Sequence, residues 1–348
     1  MDKKERLFWP DFIRTVACLL VITCHFNAAV SKYFTLNKGV CYNFPINIYI
    51  GTIGVNLFFT ISGAMLMYTK MKLEIMGKKE SLLQFYKKRF LAIYPMYWLA
   101  FSISLAISFF VWRGMPKDSL IWFLESILGF SGYLYILGVT PFAFYQVGEW
   151  FLGCIICLYI IIPVLFYLVE KFPKTILVSS IFTYVLLCRQ GVETKLFFMY
   201  IPYLVVGMIF IKYFRSLDKT RSVLLQIGLI LSIICLYKIL ERGPIYEFLV
   251  CVILFAILKE FGDMIRNRLV KNVCSWIAKY SYAIFLVHHK LITILVLRFD
   301  IESLWKREVW FLFTIYCVLT MLLSKEVFAL DKWIRRKFEC VIVNFLDN

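Results

Sequence analysis

The sequence predicts an all-α, polytopic membrane protein with about ten transmembrane helices and both termini in the cytoplasm. Three observations carry that prediction. Hydrophobic residues make up 61% of the 348 and charged residues only 18%, with a mean hydropathy of +0.78. Soluble domains stand nearer half apolar and a quarter charged. Ten apolar runs approach the ~20 residues that cross about 30 Å of hydrocarbon. Finally, Lys and Arg are divided unevenly between alternate loops.

The ten runs lie at roughly 8–30, 48–69, 90–112, 147–169, 174–190, 194–213, 222–240, 244–260, 276–298 and 308–330. The fifth and eighth are the shortest. The aromatic, Gly-containing stretch 118–135 reads as an interfacial or re-entrant piece inside a long loop. With the N-terminus inside, the cytoplasmic segments hold twenty-five Lys and Arg and the outer segments eleven. The inner set includes Lys3, Lys4, Arg6, Lys78, Lys79, Lys87, Lys88, Arg89, Arg215 and Lys259; the outer set includes Lys32, Lys38, Arg113, Lys117 and Arg242. The positive-inside rule and an even span count then agree on cytoplasmic termini. No internal period, low-complexity tract or appended soluble domain is evident, so residues 1–348 read as one integral membrane domain. MDKKERLFWPDF begins basic but leads into no small-residue cleavage site, so the first span is expected to stay rather than be cleaved as a signal peptide.

The net charge of +17 is explained by cytoplasmic loops, and no nucleic-acid partner is expected. Most of the eleven cysteines sit inside apolar runs and read as small buried hydrophobes. Phe, Tyr and Trp suit interfacial belts and helix packing. Pro95, Pro163 and Pro202 are expected to kink spans. In GVNLFFTISG, Gly54 to Gly63, small residues let helices approach closely.

Ionisable groups inside a span are costly and face a polar interior, which makes them functional candidates. The first run, FWPDFIRTVACLLVITCHFNAAV, carries Asp11, Arg14 and His25. Eleven residues at about 100° each bring Arg14 and His25 to nearly the same side, about 16 Å apart along the axis. Arg14 falls near the cytoplasmic boundary, where it can snorkel, and His25 about 25 Å along, in the outer half. Asn56 lies about 12 Å from the outer end of the second run and His288 about 18 Å along the ninth. Glu149 opens the fourth. The three histidines of the chain, His25, His288 and His289, all fall in spans. Two readings stand beside each other: each bonds a helix carbonyl, or the three share a polar site in the outer half. Lys87, Lys88 and Arg89 are either an ordinary positive-inside cluster or a cytoplasmic phosphate site. A metal site is not expected, because no carboxylates stand at ligand spacing beside the histidines.

With these stretches assembled, the chain resembles the membrane acyltransferase-3 family, integral enzymes that O-acylate glycans and other extracytoplasmic acceptors. Arg14 and His25 match the family's Arg, ten residues, His arrangement, preceded by the aromatic-x-Asp of Trp9 to Asp11. GVNLFFTISGAMLMY is similar to its second-helix motif, and FYKKRFLAIYPMYW (Phe85 to Trp98) to its basic stretch and Tyr-Pro-x-Tyr-Trp segment. GEWFLGCIICLYIIIP (Gly148 to Pro163) and SYAIFLVHH (Ser281 to His289) resemble two later blocks. The likeness covers nearly the whole chain. It departs in the basic stretch: where the family often carries two arginines four apart, this chain has Lys88 and Ala92, with Arg89 adjacent.

The resemblance implies an acyl-CoA donor, usually acetyl-CoA, that enters from the cytoplasm and is held by Arg14, Lys88 and Arg89. It implies a glycan acceptor, cell-surface or lipid-linked, and a bacterial cytoplasmic membrane location within the lipid bilayer. Transfer to a sugar hydroxyl needs a base, and His25 is the candidate. A covalent relay through His25 or Ser62 is the variant. Asn56 or a histidine at 288/289 is suited to stabilise the oxyanion, and Glu149 to orient a histidine or bind acceptor hydroxyls. Without an appended hydrolase-like domain, the chain either completes transfer alone or hands the acyl group to a separate glycan-assembly partner. The competing class is a transporter or flippase for a glycan or small solute; no inverted repeat or paired broken helices speak for it.

Overall fold

In a computed structural model, residues 7–31, 40, 49–77, 80–112, 120–141, 147–213, 219–241, 243–299 and 304–346 are described. Among them the regular structure is helical. The order is α1 (Trp9–Val30), α2 (Ile50–Ile75), α3 (Leu82–Trp112), α4 (Leu120–Ile127), α5 (Ser131–Ile136), α6 (Glu149–Lys171) and α7 (Pro173–Arg189). Then come a 3-10 turn (Phe197–Tyr200), α8 (Ile201–Tyr213), α9 (Lys219–Ile239), α10 (Pro244–Met264), α11 (Arg268–Arg298) and α12 (Lys306–Leu346).

Each of the ten expected runs is helical, but they are not equivalent. Among the described residues, seven helices are long and apolar enough to cross a membrane: α1, α2, α3, α6, α9, α11 and α12. The other three fall short for physical reasons. α7 has 17 residues, and the sixth run is divided into a 3-10 turn and a 13-residue α-helix. α10 holds Glu247 in its first turn and Lys259, Glu260 and Asp263 near its end. The stretch expected as an interfacial piece contains α4 and α5. α3 begins earlier than expected, because FYKKR continues the helix rather than preceding it.

The chain divides into two compact units. The first takes residues 1–24, 41–80 and 157–279; the second takes 25–40, 81–156 and 280–348. α1, α6 and α11 contribute residues to both.

In the first unit the closest packing joins α2 to α8. A Cβ at Gly63 would overlap the Leu204 carbonyl, and one at Gly207 would overlap the Thr60 carbonyl. Two glycines thus let two backbones touch, the arrangement that small residues permit in membrane helices. The expectation that GVNLFFTISG is a packing face is met at Gly63. Phe59 stacks on Tyr200 at 4.1 Å, closing the adjacent side. α10 meets the start of α1 the same way, since a Cβ at Gly262 would stand 2.9 Å from Trp9 Cα. Trp9 is buried and meets Phe255 edge-on.

Lys259 is not a free loop cation. Its ammonium lies 2.5 Å from Glu260 Oε1 and 3.1 Å from Asp263 Oδ2, while Ser222 Oγ donates to Glu260 Oε2 at 2.6 Å. Of the charges used to orient the chain, Lys3, Lys4, Arg6, Lys32, Lys38, Lys78, Lys79, Arg113, Lys117, Arg215 and Arg242 lie outside the described residues.

The second unit is organised around α3. Tyr94 Oη donates to Leu128 O at 3.0 Å, Trp98 Nε1 to Ile127 O at 2.8 Å, and Tyr97 Oη to Ser126 O. Helix C-termini leave carbonyls without intrahelical partners. The aromatic residues of Tyr-Pro-x-Tyr-Trp are therefore donors to the end of α4. Pro95 and Pro163 sit inside helices as expected. Pro202 does not: it is the second residue of α8, where a missing N–H costs nothing. The cysteines divide too. Cys18, Cys24, Cys154 and Cys251 are buried, whereas Cys235 is exposed on α9, a helix whose apolar side chains are largely uncovered by protein.

The α2–α8 contact makes a direct prediction. Gly207→Leu should destabilise the purified chain by about 3 kcal/mol, because the overlapped group is backbone. Gly228→Ala on α9, where a Cβ meets nothing within 4 Å, should be neutral or stabilise by up to ~1 kcal/mol. Thermal unfolding in detergent compares the two.

Candidate functional site

The structure brings the three histidines together in the second unit. His25 stands near the end of α1, and His288 and His289 follow each other on α11. Ring centroids are 4.0 Å apart for His25 and His289, 4.9 Å for His25 and His288, and 4.4 Å for His288 and His289. One ring nitrogen from each lies within 4.8 Å of the others. The interplanar angles of 45–58° show rings that converge without stacking.

His288 is the most enclosed, with no exposed surface. Its Nδ1 is 3.1 Å from Ile284 O. A carbonyl only accepts, so Nδ1 carries the hydrogen and Nε2 presents a lone pair. That Nε2 is buried and has no hydrogen-bond partner among the described residues. Both sequence readings are thus half right for this residue: one nitrogen bonds its own helix, and the other is directed elsewhere. His25 and His289 are half-buried.

Neighbouring side chains hold the cluster in place. Phe26, next to His25, is buried against Phe313 and Tyr316. Tyr316 Oη donates to His288 O at 3.4 Å. Asn27 donates Nδ2 to Val40 O at 2.6 Å and accepts from Val40 N at 2.8 Å, so the chain beyond α1 is tied back beside His25. Sequence reasoning missed Asn27. A signal was available, since an amide two residues beyond His25 in an apolar run needs a buried partner.

Glu149 opens α6 and is completely buried. Its Oε1 accepts from Val147 N at 3.3 Å. The preceding Gly148 has φ +81°, and a Cβ there would stand 3.2 Å from His289 Cδ2. The backbone before Glu149 therefore presses on His289, and only glycine adopts that conformation cheaply. From the other side, a Cβ at Gly132 would lie 2.7 Å from Trp150 N, which places α5 against the same turn. Glu149 is an enclosed group adjoining the histidines rather than an exposed interfacial one. Lys290, which follows His289, donates to Ser108 Oγ at 2.7 Å and feels the charge of Glu149.

The remaining expected residues lie apart in the chain's organisation. Asn56 belongs to the first unit, buried, with Nδ2 donating to Tyr203 Oη at 3.0 Å and to Cys251 Sγ at 3.6 Å. Both amide hydrogens have protein acceptors. Arg14, also in the first unit, is about one-third exposed, and its guanidinium is 4.0 Å from Asp11. Asp11 is buried and accepts from Ser275 Oγ at 2.8 Å, while Thr15 donates to Cys274 O at 2.9 Å. In the second unit Lys88 is exposed on α3, and the Arg89 guanidinium lies over the Phe85 ring at 5.4 Å. The three histidines and Glu149 thus belong to the second unit, and Arg14 and Asn56 to the first.

Gly148→Ala tests the contact behind His289. The left-handed conformation costs a side chain about 1–2 kcal/mol, and the new methyl crowds the imidazole. A fall in the unfolding temperature of the purified chain is expected, and an unchanged one counts against the turn.

Three comparisons bear on what this group does. A family model described as an acyltransferase domain matches residues 7–324, a stretch that takes in both units. Acyltransferase MdmB of Streptomyces mycarofaciens is 28% identical over 176 residues, 46% of this chain and 39% of that protein. The chain thus spans about two fifths of the length of that relative. No solved structure matches. The family match spans most of the chain and supports one conclusion: the chain belongs to the Acyl_transf_3 family of membrane acyltransferases.

Proposed function

We propose that the chain moves an acyl group, acetyl by expectation, from cytoplasmic acyl-CoA to a hydroxyl of an extracytoplasmic or lipid-linked glycan. It works in the bacterial cytoplasmic membrane with both termini inside. The observation that carries the reading is the meeting of His25 with His288 and His289 in a chain of this family. His25 is the base: half-buried, it is accessible from one side and held by neighbours on the other. It takes the proton of the acceptor hydroxyl as that oxygen attacks the thioester carbonyl, and coenzyme A thiolate leaves.

The hydrogen bonds of the other candidates support a different reading of each. His288 spends its Nδ1 hydrogen on Ile284 O, so in that tautomer its Nε2 can only accept and does not serve as an oxyanion donor. His289, whose ring is nearest to His25, takes the part of orienting donor. Asn56 has its amide hydrogens on Tyr203 and Cys251, and serves the α2 packing before it serves an oxyanion. Glu149 sustains the turn against His289. Arg14 is proposed to meet the donor's phosphates, oriented by the Asp11–Ser275 contact, and Lys88 and Arg89 on α3 are the other basic candidates for donor binding.

The test uses the purified full chain in lipid, radiolabelled acetyl-CoA and isolated cell-surface glycan. Label should pass to the glycan, and His25→Ala should lower the rate by at least about 100-fold. Undiminished transfer overturns the role of His25. Arg14→Ala should weaken donor binding about tenfold, the loss of one charge-assisted contact, with little change in unfolding temperature. Unchanged donor affinity rejects the phosphate role. Mass spectrometry of surface glycans from a deletion strain identifies acyl group and acceptor together.

A further inference from the structure

The same three imidazoles have a second capacity that base catalysis does not use. His288 donates Nδ1–H to a backbone carbonyl and leaves Nε2 buried with no protein partner among the described residues. Metal-binding histidines show this pattern: one ring nitrogen is fixed by a carbonyl or carboxylate so that the other points at the ion. One ring nitrogen from each of His25 on α1 and His288 and His289 on α11 lies within 4.8 Å of the others. Three imidazoles around a tetrahedral ion at 2.0–2.1 Å require nitrogen separations of about 3.3 Å. Side-chain shifts of roughly 1.5 Å close the difference, and His25 and His289 are not completely enclosed.

We propose that His25, His288 and His289 form a binding site for a divalent transition-metal ion of the zinc class. Imidazole donors without thiolates suit Zn, Cu, Ni and Co, and three protein ligands leave a fourth position open. Carboxylates at ligand spacing in sequence are not required once three imidazoles converge. The occupied and catalytic states exclude each other, because the lone pair of His25 that removes the acceptor proton is the one the ion takes. The ion is therefore a reversible inhibitor. That inhibition rests on His25 being the base; the metal site itself does not.

The experiment uses full-length protein with its purification tag removed, stripped by chelator and titrated with Co2+, then with Zn2+. Wild type should bind one Co2+ per chain with the visible absorption of a tetrahedral site, and Zn2+ should displace it. His288→Ala and His289→Ala should each weaken binding by at least about 100-fold, as loss of a residue that coordinates the ion exceeds the 10–100-fold cost of losing a supporting group. Each variant is checked for folding by thermal unfolding in metal-free buffer. Wild type alone decides the main point: absence of saturable Co2+ binding overturns the site whatever the variants do. Binding that survives His288→Ala in a folded variant overturns it as well.

Transfer activity separates the two readings. Zn2+ should suppress acyl transfer, and chelator should restore it. If chelator abolishes transfer and Zn2+ restores it, the metal site stands and His25 is not the base. If Co2+ does not bind but His25→Ala is inactive, the base stands and the metal site falls.

Discussion

A polar side chain on an apolar helix has to find its partner inside the protein, because hydrocarbon offers none. That constraint runs through both units. Asn56 reaches Tyr203 and Cys251, Asp11 reaches Ser275, Thr15 reaches a carbonyl of α11, and Asn27 pairs twice with Val40. Lys259 is enclosed with Glu260 and Asp263. The contacts that join different segments, Ser222 of α9 to Glu260 of α10 among them, fix one against another at a single register, which apolar packing alone does not do. Burying an unpaired amide or charge costs several kcal/mol, so a register slip that separates such pairs is penalised.

The histidines obey the constraint differently. Nδ1 of His288 is satisfied by its own helix, while Nε2 is buried without a hydrogen-bond partner among the described residues, in a ring whose centroid lies 4.9 and 4.4 Å from those of His25 and His289. A group of acceptors and donors that can exchange protons, or share an ion, is what such a buried convergence supplies. Gly148 at positive φ leaves room for His289, where a Cβ would stand 3.2 Å from its ring, and Glu149 accepts from Val147 N across the turn. Reactive groups are held by rigid surroundings when their orientation matters to chemistry.

The family motifs acquire physical content from these contacts. In GVNLFFTISG the last glycine admits the Leu204 backbone, and in Tyr-Pro-x-Tyr-Trp the aromatic residues donate to the end of α4. Their work is architectural: one brings two helices to backbone contact, and the other ends a short helix beside α3. GEWFLG and SYAIFLVHH, by contrast, supply the turn and the two imidazoles that meet at His289.

The helices were legible in the sequence because apolar runs of membrane length leave few alternatives. The ten runs mark the helices to within a few residues at most ends; α3, α11 and α12 extend further. What the runs could not show is which helices hold charges that only a protein interior accepts, as Lys259 and Glu260 do. Depth along helices placed His25 and His288 at related levels, since rise per residue is fixed. Depth says nothing of which helix neighbours which. Three histidines in spans were therefore determined by sequence; their meeting within 4.8 Å was decided by tertiary packing. The same holds for Asn56 and Arg14. Their chemistry is written in their side chains, but the Tyr203 hydroxyl that takes the Asn56 amide and the Ser275 hydroxyl that holds Asp11, Arg14's neighbour on α1, are brought near only by the folded chain.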